Sequence, residues 1–295
     1  MIIVKLQGGL GNQMFQYAFG YAMAKKYNYQ LKLDIYGLQS STLRDYKLHL
    51  FDINQIATKQ EVANIKYHPE NVLQYLKRRI TKQKRQLSKS YYCEVEQQCF
   101  TYTADIPKQD NYYYEGFWQN QHYFIDYKYD ILNTFTPKFK FSKTLKTLMQ
   151  KIISDKYISI HIRRGDYVSN QKALQKHGLC DLTYYHHAIN KIKSLIHNPK
   201  FVFFSDDINW VKDAFKDELN CLYIDDIDIA PQQLDVCELH LMSLCQHNII
   251  ANSTFSWWAA WLNQNPNKII IAPKQWCAKT DLNSEAIIPE NWLQI

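Results

Sequence analysis

The chain has 295 residues, 46% of them apolar, with a formal net charge of +7 and a mean hydropathy of −0.44. These are the figures of a soluble globular protein with room for two α/β domains. No segment approaches the roughly 18 uninterrupted apolar residues of a membrane span, and Met1-Ile-Ile-Val-Lys-Leu6 is too short for the apolar core of a signal sequence. The expected location is therefore the cytoplasm. Seven cysteines, odd in number and without CxxC spacing, argue for reduced thiols and against a disulfide framework.

The opening Ile2–Leu6 predicts a strand, Gly8-Gly-Leu-Gly11 a turn, and Gln13–Tyr27 a helix with apolar residues at 14, 15, 18, 19, 22 and 23. Tyr29–Asp34 predicts a second strand, which completes one parallel unit. The turn is similar to a dinucleotide fingerprint, but Met14 stands where the third glycine belongs. Asn12 and Gln13 add neutral amides suited to carbohydrate hydroxyls or phosphate oxygens. Residues 40–150 are less regular. The tract Lys77–Lys89 carries seven positive charges and no acid, so the rest of the chain sums to zero. It is a candidate for peripheral contact with an anionic membrane, with a solvated helix face as the alternative. No aromatic-interleaved basic groove accompanies it, so nucleic acid is not an expected partner. An aromatic cluster follows at 112–124. Thr136-Pro137 and the polar helix expected at 141–153 mark a boundary between domains 1–140 and 141–295.

From 157 onward, strands alternate with helices. Strands are predicted at 157–162, 201–204, 222–224, 248–251 and 268–272, and helices at 183–196, 208–216, 233–245 and 255–263. That alternation implies a parallel, doubly wound sheet, whose ligands sit outside the carboxyl ends of the strands. One strand ends in His161-Ile-Arg163-Arg164, another in Ser205-Asp206-Asp207, a third in Asn252-Ser253-Thr254. His161 and Arg163, two apart, share a strand face. A guanidinium is a planar fork of donors that fits phosphate oxygens. A carboxylate at 206 or 207 suits a guanine edge or a ribose hydroxyl, while one of the two caps the next helix. Ser253, Thr254 and Ser256 stand at a helix start, where capping and phosphate binding both favour hydroxyls. Trp257, Trp258 and Trp261 have core spacing. Cys237, His240, Cys245 and His247 match no zinc pattern and read as core. Asp226-Ile-Asp228 is similar to a cation-binding DxD but is discounted beside the arginine pair, so no metal is expected.

Gly8-Gly-Leu-Gly-Asn-Gln-Met-Phe-Gln-Tyr-Ala18, Gly116–Phe124, His161-Ile-Arg-Arg-Gly-Asp-Tyr167, Phe204-Ser-Asp-Asp207 and Asn252-Ser-Thr-Phe-Ser-Trp-Trp258 together resemble glycosyltransferase family 11. That is the α-1,2-fucosyltransferase family, in its soluble bacterial form. The resemblance implies a GT-B-like α/β fold of two Rossmann-type lobes with parallel sheets. The donor site would lie in the C-terminal lobe facing the inter-lobe cleft, and the last helix is a candidate to return to the first lobe. It implies inverting, metal-independent transfer of fucose from GDP-β-L-fucose, a co-substrate and not a cofactor, to the 2-hydroxyl of a terminal β-galactoside. A role in capsule or O-antigen synthesis, at the inner face of the cytoplasmic membrane, is the accompanying expectation.

By that match Arg163 stabilises the leaving group and Asn12 lies beside the reacting sugar. Asp166 is the remaining catalytic candidate, with an ion pair to an arginine as its alternative. His161 and Asp207 are assigned to the donor's base, and Asp206 to the donor beside them. Arg164, Asn252, Ser253, Thr254, Phe255, Ser256, Gly9 and Gly11 are assigned to the rest of the donor. Gln13, Tyr113, Trp118 and Gln119 are assigned to the galactose-terminated acceptor. Two other readings stay open: a dinucleotide enzyme built on the glycine turn, and a non-catalytic carbohydrate-binding protein suggested by 22 tyrosines and the 112–124 cluster.

Overall fold

β-Branched residues at 2–4 and a lysine at 5 form β1 (Ile2–Lys5), and each strand bonded to it runs parallel. The computed structural model describes residues 1–40, 44–165, 175, 178–225, 227–278 and 283–295, with Gln97 by its backbone alone. The chain divides into two units, Met1–Ile131 and Leu132–Ile295.

In the first unit β1 is followed by α1 (Leu10–Tyr27), β2 (Leu31–Asp34), α2 (Tyr36–Gln39), α3 (Lys59–Lys66), α4 (Val72–Thr81), β3 (Tyr91–Cys93) and β4 (Tyr112–Glu115). The sheet order is β2-β1-β4-β3, all parallel. The chain steps from β1 to one side and later returns to the other, so the topological switch point lies between β1 and β4. α1 is buried almost all round, from Leu10 to Ala22. Gly20 permits its close approach to the sheet: a Cβ there would stand 2.8 Å from Val4 Cγ2 and Leu31 Cδ1. Phe19 lies flat on Trp118, centroids 4.0 Å apart. Asn28, in the left-handed region at φ 56°, ends the helix.

A short helix, α5 (Lys128–Thr134), contains the division between the units. The second unit continues with α6 (Lys143–Ser154), β5 (Ile158–Ile162), α7 (Leu182–Leu195), β6 (Phe201–Ser205), α8 (Ile208–Ala214), β7 (Cys221–Tyr223), α9 (Leu234–Ser243), β8 (His247–Ile249), α10 (Thr254–Leu262), β9 (Ile270–Ala272) and β10 (Leu293–Gln294). Six parallel strands lie in the order β10-β9-β8-β5-β6-β7. β5 is central and all five of its residues are buried, as expected of a parallel strand covered on both faces. Tyr185, Ala188, Ile189 and Ile192 of α7, one stripe at helical spacing, pack with Ile158, Ile160, Ile162, Phe201 and Phe203. On β5's other face Ser159 is held in a buried amide chain. Asn248 Nδ2 donates to Ser159 Oγ at 2.7 Å, and Asn263 Nδ2 donates to Asn248 Oδ1 at 2.8 Å.

Two α/β units with parallel sheets are what the sequence led us to expect. The predicted helices at 13–27, 183–196, 208–216, 233–245 and 255–263 form with ends moved by at most three residues. The strand expected at 248–251 occupies 247–249, because Ile250 and Ala251 already lead into the turn before α10. The described residues beyond α10 hold no α-helix; they end in β10, an edge strand beside β9. Among the described residues no helix is long and apolar enough to cross a membrane. All seven cysteines are free.

Candidate active site

The second unit gathers its chemistry at the carboxyl ends of β5 and β6. His161, at the end of β5, is 5% exposed, and its Nδ1 has no hydrogen-bond partner among the described residues. Burial, and next the Arg163 guanidinium, push its pKa down to about 4, against the opposing pull of Asp206. The ring is therefore neutral at physiological pH. It rests against Phe255, centroids 5.5 Å apart, at the start of α10.

Each arginine is paired with one of the aspartates that end β6. Arg163 Nη1 lies 3.0 Å from Asp206 Oδ2, and Arg164 Nε lies 3.2 Å from Asp207 Oδ2. Asp206 also accepts the backbone N–H groups of Arg164 and Gly165 through Oδ1, at 2.8 and 3.0 Å. Glycine at 165 leaves room for that carboxylate, since a Cβ there would fall 2.5 Å from Asp206 Oδ2 and push it aside. Arg164 lies over the Trp210 ring, with Cζ 3.6 Å from its centroid. Asp207 is the N-cap of α8, accepting from the Trp210 N–H at 3.4 Å. The two aspartates thus aim the arginines and fix the turn after β5. Asp166 lies outside the described residues.

At α10, Ser253 is the N-cap and Thr254 begins the helix. Asn252 and Ser256 are turned into protein. The Asn252 amide donates to the Gly178 and Trp276 carbonyls at 3.4 and 3.3 Å, and the buried Ser256 hydroxyl donates to the Ala251 and Ser253 carbonyls, both at 3.3 Å. Trp257, Trp258 and Trp261 are core, as their spacing predicts. So are Cys237 and Cys245. His240 stacks on Phe141, and His247 Nδ1 accepts from the Ile269 N–H. Among the described residues no three His, Cys, Asp or Glu side chains cluster as a metal site; Asp226 of the Asp226-Ile-Asp228 motif lies outside them.

The first unit is furnished differently. The loops after β1 and β4, at the switch point, are tied together by amides. Gln16 accepts from the Gln7 N–H at 2.9 Å and donates to the Gly116 carbonyl at 3.1 Å. Gln13 donates to the Gly8 and Asp45 carbonyls and accepts from the Lys47 N–H. Gln119 donates to Asn12 Oδ1 at 2.8 Å. Gly8, at φ +80°, lies under Asn12, where a Cβ would meet the amide nitrogen at 2.5 Å. Gly9 precedes α1 as an N-cap without a side-chain bond, and Gly11 is buried in its first turn.

Tyr113 and Trp118 are wholly buried, so what they touch is protein. Tyr113 donates its hydroxyl to Asp34 at 2.6 Å, and Trp118 fills the aromatic layer under α1.

Two carboxylates absent from the sequence reading stand close to these groups. Glu94, just past β3, accepts from the Phe117 and Trp118 N–H groups at 2.6 and 3.2 Å and so holds the turn that carries Gln119. Trp118 sits there at φ 56°. Burial raises the Glu94 pKa to about 7 against those two donors. Glu238 on α9 is likewise raised to about 7, by burial and then by the negative charges of Asp235 and Asp206. Neither announces itself in sequence: Glu94 lies between an aromatic strand and a polar loop, and Glu238 sits among core residues.

The family model of Glycosyl transferase family 11 matches residues 1–295. The Escherichia coli protein named alpha-1,2-colitosyltransferase is 37% identical over 300 residues, covering 100% of this chain and 99% of its own. The O-antigen biosynthesis glycosyltransferase WbnK of Escherichia coli is 30% identical, covering 98% and 99%. The galactoside 2-alpha-L-fucosyltransferase SEC1 of Bos taurus is 32% identical over 108 residues, 36% of this chain and 28% of that one.

Proposed function

This chain belongs to glycosyltransferase family 11, and we propose that it moves L-fucose from GDP-β-L-fucose to the 2-hydroxyl of a terminal β-galactoside, with inversion and without a metal. The observation that carries the donor assignment is Arg163, aimed by Asp206, together with the buried, neutral His161 at the end of β5, whose Nδ1 has no hydrogen-bond partner among the described residues. The acceptor oxygen attacks C1 while the C1–O bond to the β-phosphate breaks and its electron pair leaves with GDP. The new negative charge on the departing diphosphate is what needs stabilising, and a guanidinium already aimed by Asp206 meets it without reorganisation. Ser253 and Thr254, with the amide groups that open α10, are assigned to the same phosphates. The neutral imidazole of His161 suits an uncharged base edge. Arg164, over the Trp210 ring, keeps the turn rigid beside it.

Asn12 and Gln119 are assigned to the sugars and Gln13 to shaping their loop. The acceptor hydroxyl gives up its proton as it attacks, and Asp166 is a catalytic candidate by sequence alone. Relatives named for O-antigen synthesis and for colitosyl transfer support a cytoplasmic glycan precursor as the acceptor. The colitosyl relative also favours a second reading, in which the donor sugar is colitose, which is fucose without its 3-hydroxyl.

GDP release from GDP-fucose and from GDP-colitose, measured with EDTA and with or without lactose, tests both. Lactose-dependent release from GDP-fucose, with an α-1,2 linkage in the product by NMR, is expected. Release only from GDP-colitose would give the second reading, and release abolished by EDTA would remove metal independence.

A further inference from the structure

Between Tyr67 and Leu87 the chain makes an excursion from the first unit. Its base is closed by an antiparallel bridge between those two residues, with His68 N–H donating to the Gln86 carbonyl at 3.0 Å and Ser88 N–H to the Lys66 carbonyl at 3.0 Å. Arg85 lies over the Tyr67 ring, 5.0 Å from its centroid. The excursion carries α4, which is capped at both ends. Asn71 and Gln74 form a capping box, and Lys82 closes the helix in the left-handed region. Its sequence therefore makes this helix deliberately, yet none of its residues is buried.

The apolar residues of α4 are not scattered. Val72, Leu76, Ile80 and Leu73 fall, at 100° per residue, within one stripe about 100° wide. They are 73, 49, 81 and 77% exposed, respectively. A contiguous apolar surface of this kind on an otherwise polar excursion marks an interaction site. Lys77 flanks the stripe on one side and Arg79 on the other. Residues 72–89 carry seven positive charges and no negative one. Among the described residues, only Arg78 and Arg85 of this stretch face an acid, both toward Glu70 at the excursion's base.

We infer that α4 is an interfacial anchor: it lies in the plane of an anionic lipid bilayer, with Val72, Leu73, Leu76 and Ile80 among the acyl chains and Lys77, Arg79, Lys82 and Lys84 against the headgroups. Ten residues make a helix about 15 Å long, half of a bilayer's apolar thickness, so it lies on the membrane and does not span it. Long basic side chains beside an apolar stripe bury their stems and keep their charges at the headgroup level. The charge decides the occupant. A second copy docking on this face would set one all-positive excursion against another, whereas anionic lipid supplies the missing counter-charge. A helix this short is also marginal in water on its own, and lipid on its apolar face adds stabilisation.

The test is co-sedimentation of the full chain with vesicles of phosphatidylcholine alone and with roughly a third phosphatidylglycerol. Pelleting only with the anionic vesicles, weakening as salt rises, is expected. Lys77→Gln and Arg79→Gln should each lower the partition coefficient about fivefold. The pair Leu73→Asp/Ile80→Asp should abolish pelleting while leaving the urea midpoint and turnover on a soluble acceptor unchanged, since both residues are exposed. No pelleting with anionic vesicles would overturn the inference. So would equal pelleting by the double variant, or a dimer in sedimentation equilibrium that the double variant dissociates, which would give the face to a second copy.

Discussion

The carboxyl edges of the two sheets solve the same positioning problem with different chemistry. In the second unit, charge holds charge: Asp206 and Asp207 aim Arg163 and Arg164 and fix the turn between them. In the first, neutral amides hold backbone, with Gln13 and Gln16 stitching the loops after β1 and β4 and Gln119 reaching Asn12. A diphosphate brings charge that guanidiniums can meet, whereas an uncharged sugar needs directed hydrogen bonds in a fixed geometry. The difference separates the two proposed halves of the reaction without reference to any ligand.

The sharpest way to break that contrast is Arg163→Ala. It should lose about 2.7–4 kcal/mol of transition-state stabilisation, comparable to a lost oxyanion donor. A variant keeping a tenth of wild-type turnover in single-turnover assays would show that the second edge does not act through this charge. Gln16→Leu attacks the other edge. It leaves the Gln7 N–H and the Gly116 carbonyl without their partner and should cost about 1–3 kcal/mol, read as a fall in urea midpoint. An unchanged midpoint would mean that the amide stitch is decorative.

The two edges should also respond to pH with opposite sign. Glu94 keeps its proton to about pH 7 when folded, against 4.5 for its ordinary value. The folded chain then binds more protons across that window, so this group's contribution falls as pH rises from about 4.5 to about 7. Glu94→Gln should remove that slope. His161 keeps its proton off down to about pH 4 when folded, against 6.5 ordinarily. The unfolded chain binds more protons there, and stability falls as pH falls from 6.5 toward about 4. His161→Asn should flatten that part of the profile. Urea midpoints across pH for the three proteins read both slopes, and slopes of the same sign would refute the assignment of the two environments. Gly20→Ala should cost about as much as Gln16→Leu, since it forces Val4 or Leu31 aside for about 1–3 kcal/mol, read in the same urea midpoints.

Much of the second edge could be read from the chain alone. Its strands are short apolar runs, and the polar residues that end them, at 161–164, 205–207 and 252–254, stand out by position. What could not be read is which partner each one takes. The guanine edge and the arginine fork are equally good company for a carboxylate, and only the register of β5 beside β6 puts Asp206 against Arg163. The first unit was less legible. β4 is Tyr112-Tyr-Tyr-Glu115, a sequence that serves a strand, a sugar platform or a core equally well, and the structure uses Tyr113 and Tyr114 as core. Gln13 was expected at the acceptor because amides suit sugars. They suit loop carbonyls as well, and here those are its partners.

The buried Ser159–Asn248–Asn263 chain bears on pairing fidelity. β5, β6, β8 and β9 offer one another similar apolar faces, and a strand slipped by two residues would still present isoleucine or phenylalanine to the helices. It would not present Ser159 to Asn248. Each buried hydroxyl or amide stranded by such a slip costs about 1–3 kcal/mol, whereas the apolar contacts would largely re-form. Three small polar residues therefore penalise the near-degenerate alternatives, and β5 and β8 meet in the one register that leaves His161 at the strand's end beside α10.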